Sequence, residues 1–129
     1  MSFLNNFFGN SDKQTPITSK INWIPLTDLG QLNEIITLSN ENPVFIFKHS
    51  TRCSISRMAL KQFENEFDLQ AKVTPYFLDL LEYRSISNEI ATRFNVMHQS
   101  PQLLLIKNGI VIYHVSLDSI DAQELKNKI

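Results

Sequence analysis

The stretch that decides the fold runs from Pro43 to Phe67: Pro43-Val44-Phe45-Ile46-Phe47-Lys48-His49-Ser50-Thr51-Arg52-Cys53-Ser54-Ile55-Ser56, then a helix-patterned run to Phe67. Val44-Phe45-Ile46-Phe47 is apolar without alternation, which marks a strand covered on both faces in a parallel sheet. Ile55, Ala59, Phe63 and Phe67 recur every four residues with Met58 beside them, so that face of the following helix is predicted to be core. Arg57, Lys61, Glu64 and Asp68 fall on the outward face. Between strand and helix lies Cys53, the only cysteine of the 129-residue chain. A helix N-terminus offers unpaired N–H groups and the positive end of a dipole, so a cysteine there is placed to work as a thiolate.

Working outward, Trp23-Ile24-Pro25-Leu26 reads as a short edge strand, where proline is tolerated. Thr27 or Asp28 can cap a helix carrying Leu29, Leu32, Ile35, Ile36 and Leu38 on its buried side. Asn40-Glu41-Asn42-Pro43 stops it. Val73 to Leu80 is a further strand, and Pro75 within it implies that its start faces an edge. Ser87-Asn88-Glu89 opens a helix that buries Ile90, Ala91 and Phe94. Gln102 to Lys107 and Ile110 to Ser116 form a hairpin about Asn108-Gly109, and Ser119 or Asp121 begins a last helix. The order β-α-β-α-β-α-β-β-α gives an α/β fold of thioredoxin-like arrangement: parallel strands plus a C-terminal antiparallel hairpin, with helices on both faces. The chain divides into a flexible N-terminal segment, residues 1–20, and one domain, residues 21–129. Phe3, Leu4, Phe7 and Phe8 have helical spacing within that segment.

Composition narrows the function. Net charge is −1, with twelve basic against thirteen acidic residues, and no basic stripe occurs, so no nucleic-acid partner is expected. The first residues lack the basic and apolar regions of a signal peptide, and no apolar run approaches the ~20 residues of a membrane span. A cytoplasmic location without membrane contact is expected. One cysteine excludes an internal disulfide and a cysteine-based zinc site, and the three histidines have no ligand spacing, so no metal is expected.

Cys53-Ser54-Ile55-Ser56 has the form C-x-x-S. Serine stands where a resolving thiol would be; its hydroxyl cannot attack a mixed disulfide but can donate to the Cys53 thiolate. Arg52, His49, Lys48 and Arg57 are the cationic candidates nearby, with the helix N-terminus the larger effect and Arg52 and Lys48 read as solvated. Ser100-Pro101 precedes a strand where this fold places a cis-proline, whose neighbouring backbone can receive an extended substrate segment. His98 and His114 read as structural, and Asp79 and Glu82 as cap and surface residues.

Thr51-Arg52-Cys53-Ser54-Ile55-Ser56 resembles the T-x-C-P-I-S loop of the monothiol bacilliredoxins, the YtxJ type of bacillithiol-system protein. Ser87-Asn88-Glu89-Ile90-Ala91, Arg93-Phe94-Asn95-Val96, His98-Gln99-Ser100-Pro101-Gln102 and Ile106-Lys107-Asn108-Gly109 are similar to the second half of that family. The resemblance implies a thioredoxin-like monothiol thiol–disulfide oxidoreductase. Cys53 would be the nucleophile that removes bacillithiol from S-thiolated client proteins, with Ser100 and Pro101 as the substrate loop. It implies no bound cofactor, only bacillithiol or a similar small thiol as co-substrate, and the protein is expected to act as a monomer. The family's proline after the cysteine is Ser54 here. A non-catalytic adaptor and a monothiol-glutaredoxin-like iron–sulfur carrier are the alternatives.

Overall fold

The computed structural model describes residues 21–68 and 72–129; the expected flexible segment and the Phe3, Leu4, Phe7, Phe8 pattern lie outside the described residues. The elements are β1 (Ile24–Pro25), α1 (Gly30–Leu38), β2 (Val44–His49), α2 (Ser54–Glu66), β3 (Thr74–Asp79), α3 (Arg84–Arg93), β4 (Gln102–Lys107), β5 (Ile110–Ser116), a short 3-10 helix (Leu117–Ser119) and α4 (Ala122–Lys128). Their order is the one the sequence predicts. The sheet runs β1-β3-β2-β4-β5. β1 and β2 pair with β3 in parallel, and β4 joins β2 and β5 antiparallel.

β2 is central and buried at every residue, as its unbroken apolar run requires. Its alternate side chains feed two cores. Val44 and Ile46 join Leu32, Ile35, Leu78, Ile90, Leu104 and Ile106 on the side of α1 and α3. Phe45 and Phe47 join Phe63, Phe67, Leu103, Leu105 and Leu125 on the side of α2 and α4. The second core is aromatic: Phe45 meets Phe63 and Phe67 at ring separations of 5.4 and 5.3 Å, close to the edge-to-face distance such pairs favour. Pro75 meets β2 on one side, and β1 pairs with β3 only from Tyr76 onward. The start of β3 therefore has no strand on its other side, and the proline costs no ladder bond there.

Four local readings need correction. α1 is not capped by the side chain of Thr27 or Asp28; its cap position is Leu29. Gln31 does the work instead, accepting from the Thr27 and Asp28 N–H groups at 2.7 and 3.0 Å and donating to the Pro25 carbonyl. Leu29, at the cap position, and Leu38, the last residue of α1, are exposed. α3 begins at Arg84, one turn earlier than Ser87, and Ser87 is buried within it. Ile55 and Met58, expected in the core, are 50% and 71% exposed. They flank a groove beside Leu117 and Ile120, while Ser56 takes the buried side of the same turn and Ala59, Leu60, Phe63 and Phe67 pack into the aromatic core.

Candidate active site

Cys53 sits at the N-cap of α2, with extended backbone (φ −105°, ψ 121°) and no side-chain cap bond. Its thiol is free and half-buried. The loop is held by the chain itself: the Cys53 N–H donates to the Ser50 carbonyl at 3.2 Å, and the Cys53 carbonyl accepts from the Arg57 N–H at 3.0 Å. Arg57 also folds back to donate from its guanidinium to the Thr51 carbonyl at 3.0 Å. Ser54, where the family carries proline, is the first residue of α2 and is exposed. Serine keeps a backbone N–H at a position where proline has none.

Ser56 is fully buried. Its hydroxyl oxygen accepts the Ser50 N–H at 3.0 Å and lies 2.8 Å from His49 Nδ1. The position of the missing resolving thiol is thus occupied by a group that joins the end of β2 to the start of α2. Sequence reading aimed this hydroxyl at the sulfur; the structure aims it at His49. His49 is itself buried, beside the Phe77 ring at 5.4 Å. Burial pushes its imidazole below the ordinary value, opposed by Asp79 and Glu64 and reinforced by Arg57. A neutral ring accepts from Ser56 at Nδ1 when its proton is on Nε2, and donates to the Ser56 oxygen in the other tautomer. Arg52 is exposed at the rim of the loop.

The Ser100–Pro101 bond is cis, at the foot of β4 and at the same end of the sheet as the Cys53 loop. Beyond the start of α2, the exposed Ile55 and Met58 line an apolar groove with Ala59, Leu117 and Ile120. Asp79 accepts from the Leu81 and Glu82 N–H groups and closes the turn after β3, the capping role its position predicts. His98 Nδ1 lies 3.3 Å from the Ser87 hydroxyl.

The family model of the monothiol bacilliredoxin BrxC matches residues 24–125. The chain belongs to the monothiol bacilliredoxin family. A thioredoxin-fold protein described as an oxidoreductase is 32% identical, with a TM-score of 0.70 over 81% of this chain and 90% of its own. Two thioredoxins share the fold at lower identity. That of Malassezia sympodialis is 19% identical with a TM-score of 0.66, covering 90% of this chain and 95% of its own. NaTrxh of Nicotiana alata is 18% identical with a TM-score of 0.64, covering 92% and 95%. A bacilliredoxin with this fold is a thiol redox protein, and its single cysteine fits the monothiol class. Among the described residues, no helix is long and apolar enough to cross a membrane.

Lys48 also departs from the sequence expectation: in place of a solvated position it is fully buried in β2. Desolvation pushes its ammonium down from 10.5 to about 8. The signal was present in the sequence: Lys48 is two residues from Ile46 and four from Val44, so it shares their inward face.

Proposed function

We propose that this protein is a monothiol exchanger that strips bacillithiol, or a similar small thiol, from S-thiolated client proteins in a reducing cytoplasm, acting as a monomer. The Cys53 thiolate attacks the small thiol's sulfur in the client disulfide. The client leaves as a thiolate, and Cys53 retains the small thiol as a mixed disulfide. The number of disulfides is unchanged, so no external oxidant or reductant enters this step. A second small-thiol molecule then attacks that mixed disulfide, giving the symmetric small disulfide and free Cys53.

The observation that carries the reading is the Cys53 loop itself. The sole thiol is free at a helix N-terminus, and the neighbouring C-x-x-S serine is committed to a buried bond with His49. An internal disulfide cannot form, so the mixed disulfide must be released by a diffusing thiol. Intact-mass spectrometry after treatment with bacillithiol disulfide tests this. One bacillithiol adduct on Cys53 is expected, with none on Cys53→Ser. Absence of the adduct, or full client-reducing activity in Cys53→Ser, overturns the reading.

A further inference from the structure

The groove beside the Cys53 loop is apolar and open. Ile55, Met58 and Ala59 of α2 form one wall, Leu117 and Ile120 form the other, and the space between them is about 470 Å³. Among the described residues that line it, Asp118 alone is charged. Ile55, Met58 and Leu117 stand exposed along it. Leu117 has φ 58°, in the left-handed region where a bulky side chain is an outlier. Strain of that kind persists only where the surroundings enforce it, and it collects at ligand clamps. Here the Leu117 N–H donates to the Pro101 carbonyl at 3.0 Å, which ties this wall to the cis-proline loop. The opposite wall starts at Ile55, two residues after Cys53. The groove thus opens between the thiol loop and the cis-proline loop, and a contiguous apolar strip in such a place marks a docking surface.

The sequence supplies an occupant. Residues 1–20 precede the described chain, and Phe3 with Phe7, and Leu4 with Phe8, stand four apart within them. No side chain of residues 1–11 is charged; the first that is belongs to Asp12. Ser2 comes before this apolar stripe and Gly9 after it, the residue types that start and stop a helix. So short a stretch does not hold a helix alone in water, so its turn would form only against an apolar surface. The chain enters the domain on the groove's side of the sheet. Ile21 is buried in the aromatic core shared by α2 and α4, and the Trp23 Nε1–H donates to Glu64 of α2 at 2.7 Å. The stretch between Phe8 and Ile21 can span about 40 Å when extended, against about 20 Å for the whole of α2. A second depression, lined by Met58, Lys61, Gln62, Asn65 and Glu66, shares Met58 and Gln62 with the groove and leads across the outer side of α2.

We propose that the groove is the seat of residues 3–8 of this same chain, which then lie across the approach to Cys53. Phe3 and Phe7, with Leu4 and Phe8 beside them, give apolar anchors one turn apart, the pattern by which an amphipathic helix beds into an apolar groove. An uncharged stripe suits a groove with a single charge at its rim. The tether makes the docking intramolecular, at an effective concentration that reaches the millimolar range, so a contact too weak to hold a separate peptide is populated here. A protein-sized reactant must displace the segment to reach the thiol, whereas a small reagent passes beside it. The seat governs access alone and holds whatever disulfide Cys53 exchanges.

The test compares the full chain with two altered forms. One carries Phe3→Ser, Leu4→Ser, Phe7→Ser and Phe8→Ser together. The other carries Met58→Glu, which changes an exposed side chain of the groove. In NMR spectra the Ile55, Met58 and Leu117 amides should move in the fourfold form, and the amides of residues 3–8 should move to random-coil positions in Met58→Glu. Cys53 is then alkylated with N-ethylmaleimide and with the same maleimide on a large polymer. The ratio of the bulky to the small rate should rise about tenfold in both altered forms, for a seat filled about nine-tenths of the time. Groove amides that stay in place in the fourfold form, or segment amides already at random-coil positions in the unaltered chain, overturn the proposal. A rate ratio equal in all three forms overturns it too. Groove shifts that grow with protein concentration, together with a doubled mass in sedimentation, give the groove to a second copy and overturn the same-chain seat.

Discussion

His49 and Lys48 are neighbours on β2 and point to opposite sides of the sheet. On the α2 side, His49 finds Ser56 at 2.8 Å, and Ser56 in turn accepts the Ser50 N–H. Every group in that chain of contacts has a partner, and together they tie the end of β2 to the first turn of α2, on which Cys53 rides. On the α3 side, Lys48 and Gln102 are fully buried, and Lys48 Nζ, Gln102 Oε1 and the nearby Ser100 Oγ have no hydrogen-bond partner. A satisfied buried network holds one geometry. An unsatisfied one has free energy to gain from whatever completes it. The protein thus places a bonded network beneath its thiol and unmet polarity beside its cis-proline loop.

The comparison can be broken at several points. The largest expected effect is chemical: Cys53→Ser should reduce exchange to background in a client-reduction assay, with thermal stability nearly unchanged, since the thiol is half-buried and makes no cap bond. Next comes Ser56→Ala. It strips a partner from the Ser50 N–H and from His49 Nδ1, both buried, and should cost about 2–4 kcal/mol in denaturant unfolding. A loss below about 0.5 kcal/mol would mean the network is not a brace. Lys48→Met should move stability the other way, gaining about 1–2 kcal/mol at neutral pH, because an apolar chain of similar length replaces a buried, unpartnered charge. A clear loss in that variant would show that Lys48 is satisfied in solution.

The smallest effect is in pH dependence. The folded-state value of Lys48, about 8, lies below its unfolded value of 10.5. Between the two, the unfolded chain binds more protons than the folded one, so stability rises with pH through that window and falls as pH drops toward 8. Burial raises Tyr76 and Tyr113 above 10.0, which opposes the trend at higher pH. Urea unfolding between pH 8 and 10 should therefore show a positive slope that Lys48→Met removes.

How much of this was legible in sequence depends on what a pattern encodes. Alternating elements, the apolar run of β2 and Asn108-Gly109 placed every strand and helix, because each signal is local and periodic. The hairpin turn has both residues at positive φ, 54° and 78°, which is what that dipeptide favours. Periodicity names a face without saying whether anything lies over it. Ile55 and Met58 have core spacing, yet they line an open groove beside Leu117 and Ile120, and the buried side of that turn belongs to Ser56. Ser56 was read by its polarity, although it precedes Phe63 by two turns and shares its buried side. Lys48 was read by its charge, although strand alternation put it beside Ile46. Both errors came from letting side-chain type outweigh position. Positions whose residue type defies their place in the pattern are where function is to be sought.

The hairpin turn has a reach beyond its own corner. The Asn108 N–H donates to the Ser39 carbonyl and the Gly109 N–H to the Ser39 hydroxyl, both at 2.8 Å. A side chain at Gly109 would begin 3.4 Å from Ile36. These bonds clamp the far tip of β4 to the end of α1. A strand is a ruler with marks about 3.4 Å apart, and Ser39 sets its zero. Six residues away, at the other end of β4, that zero decides whether Pro101 or one of its neighbours stands beside the cysteine loop. A slip of one mark would also exchange the two faces of the strand, turning Gln102 toward the aromatic core and Leu103 toward Lys48. The alignment of the cis-proline loop is therefore set about 20 Å away along the strand, at a serine beyond the opposite end of β4.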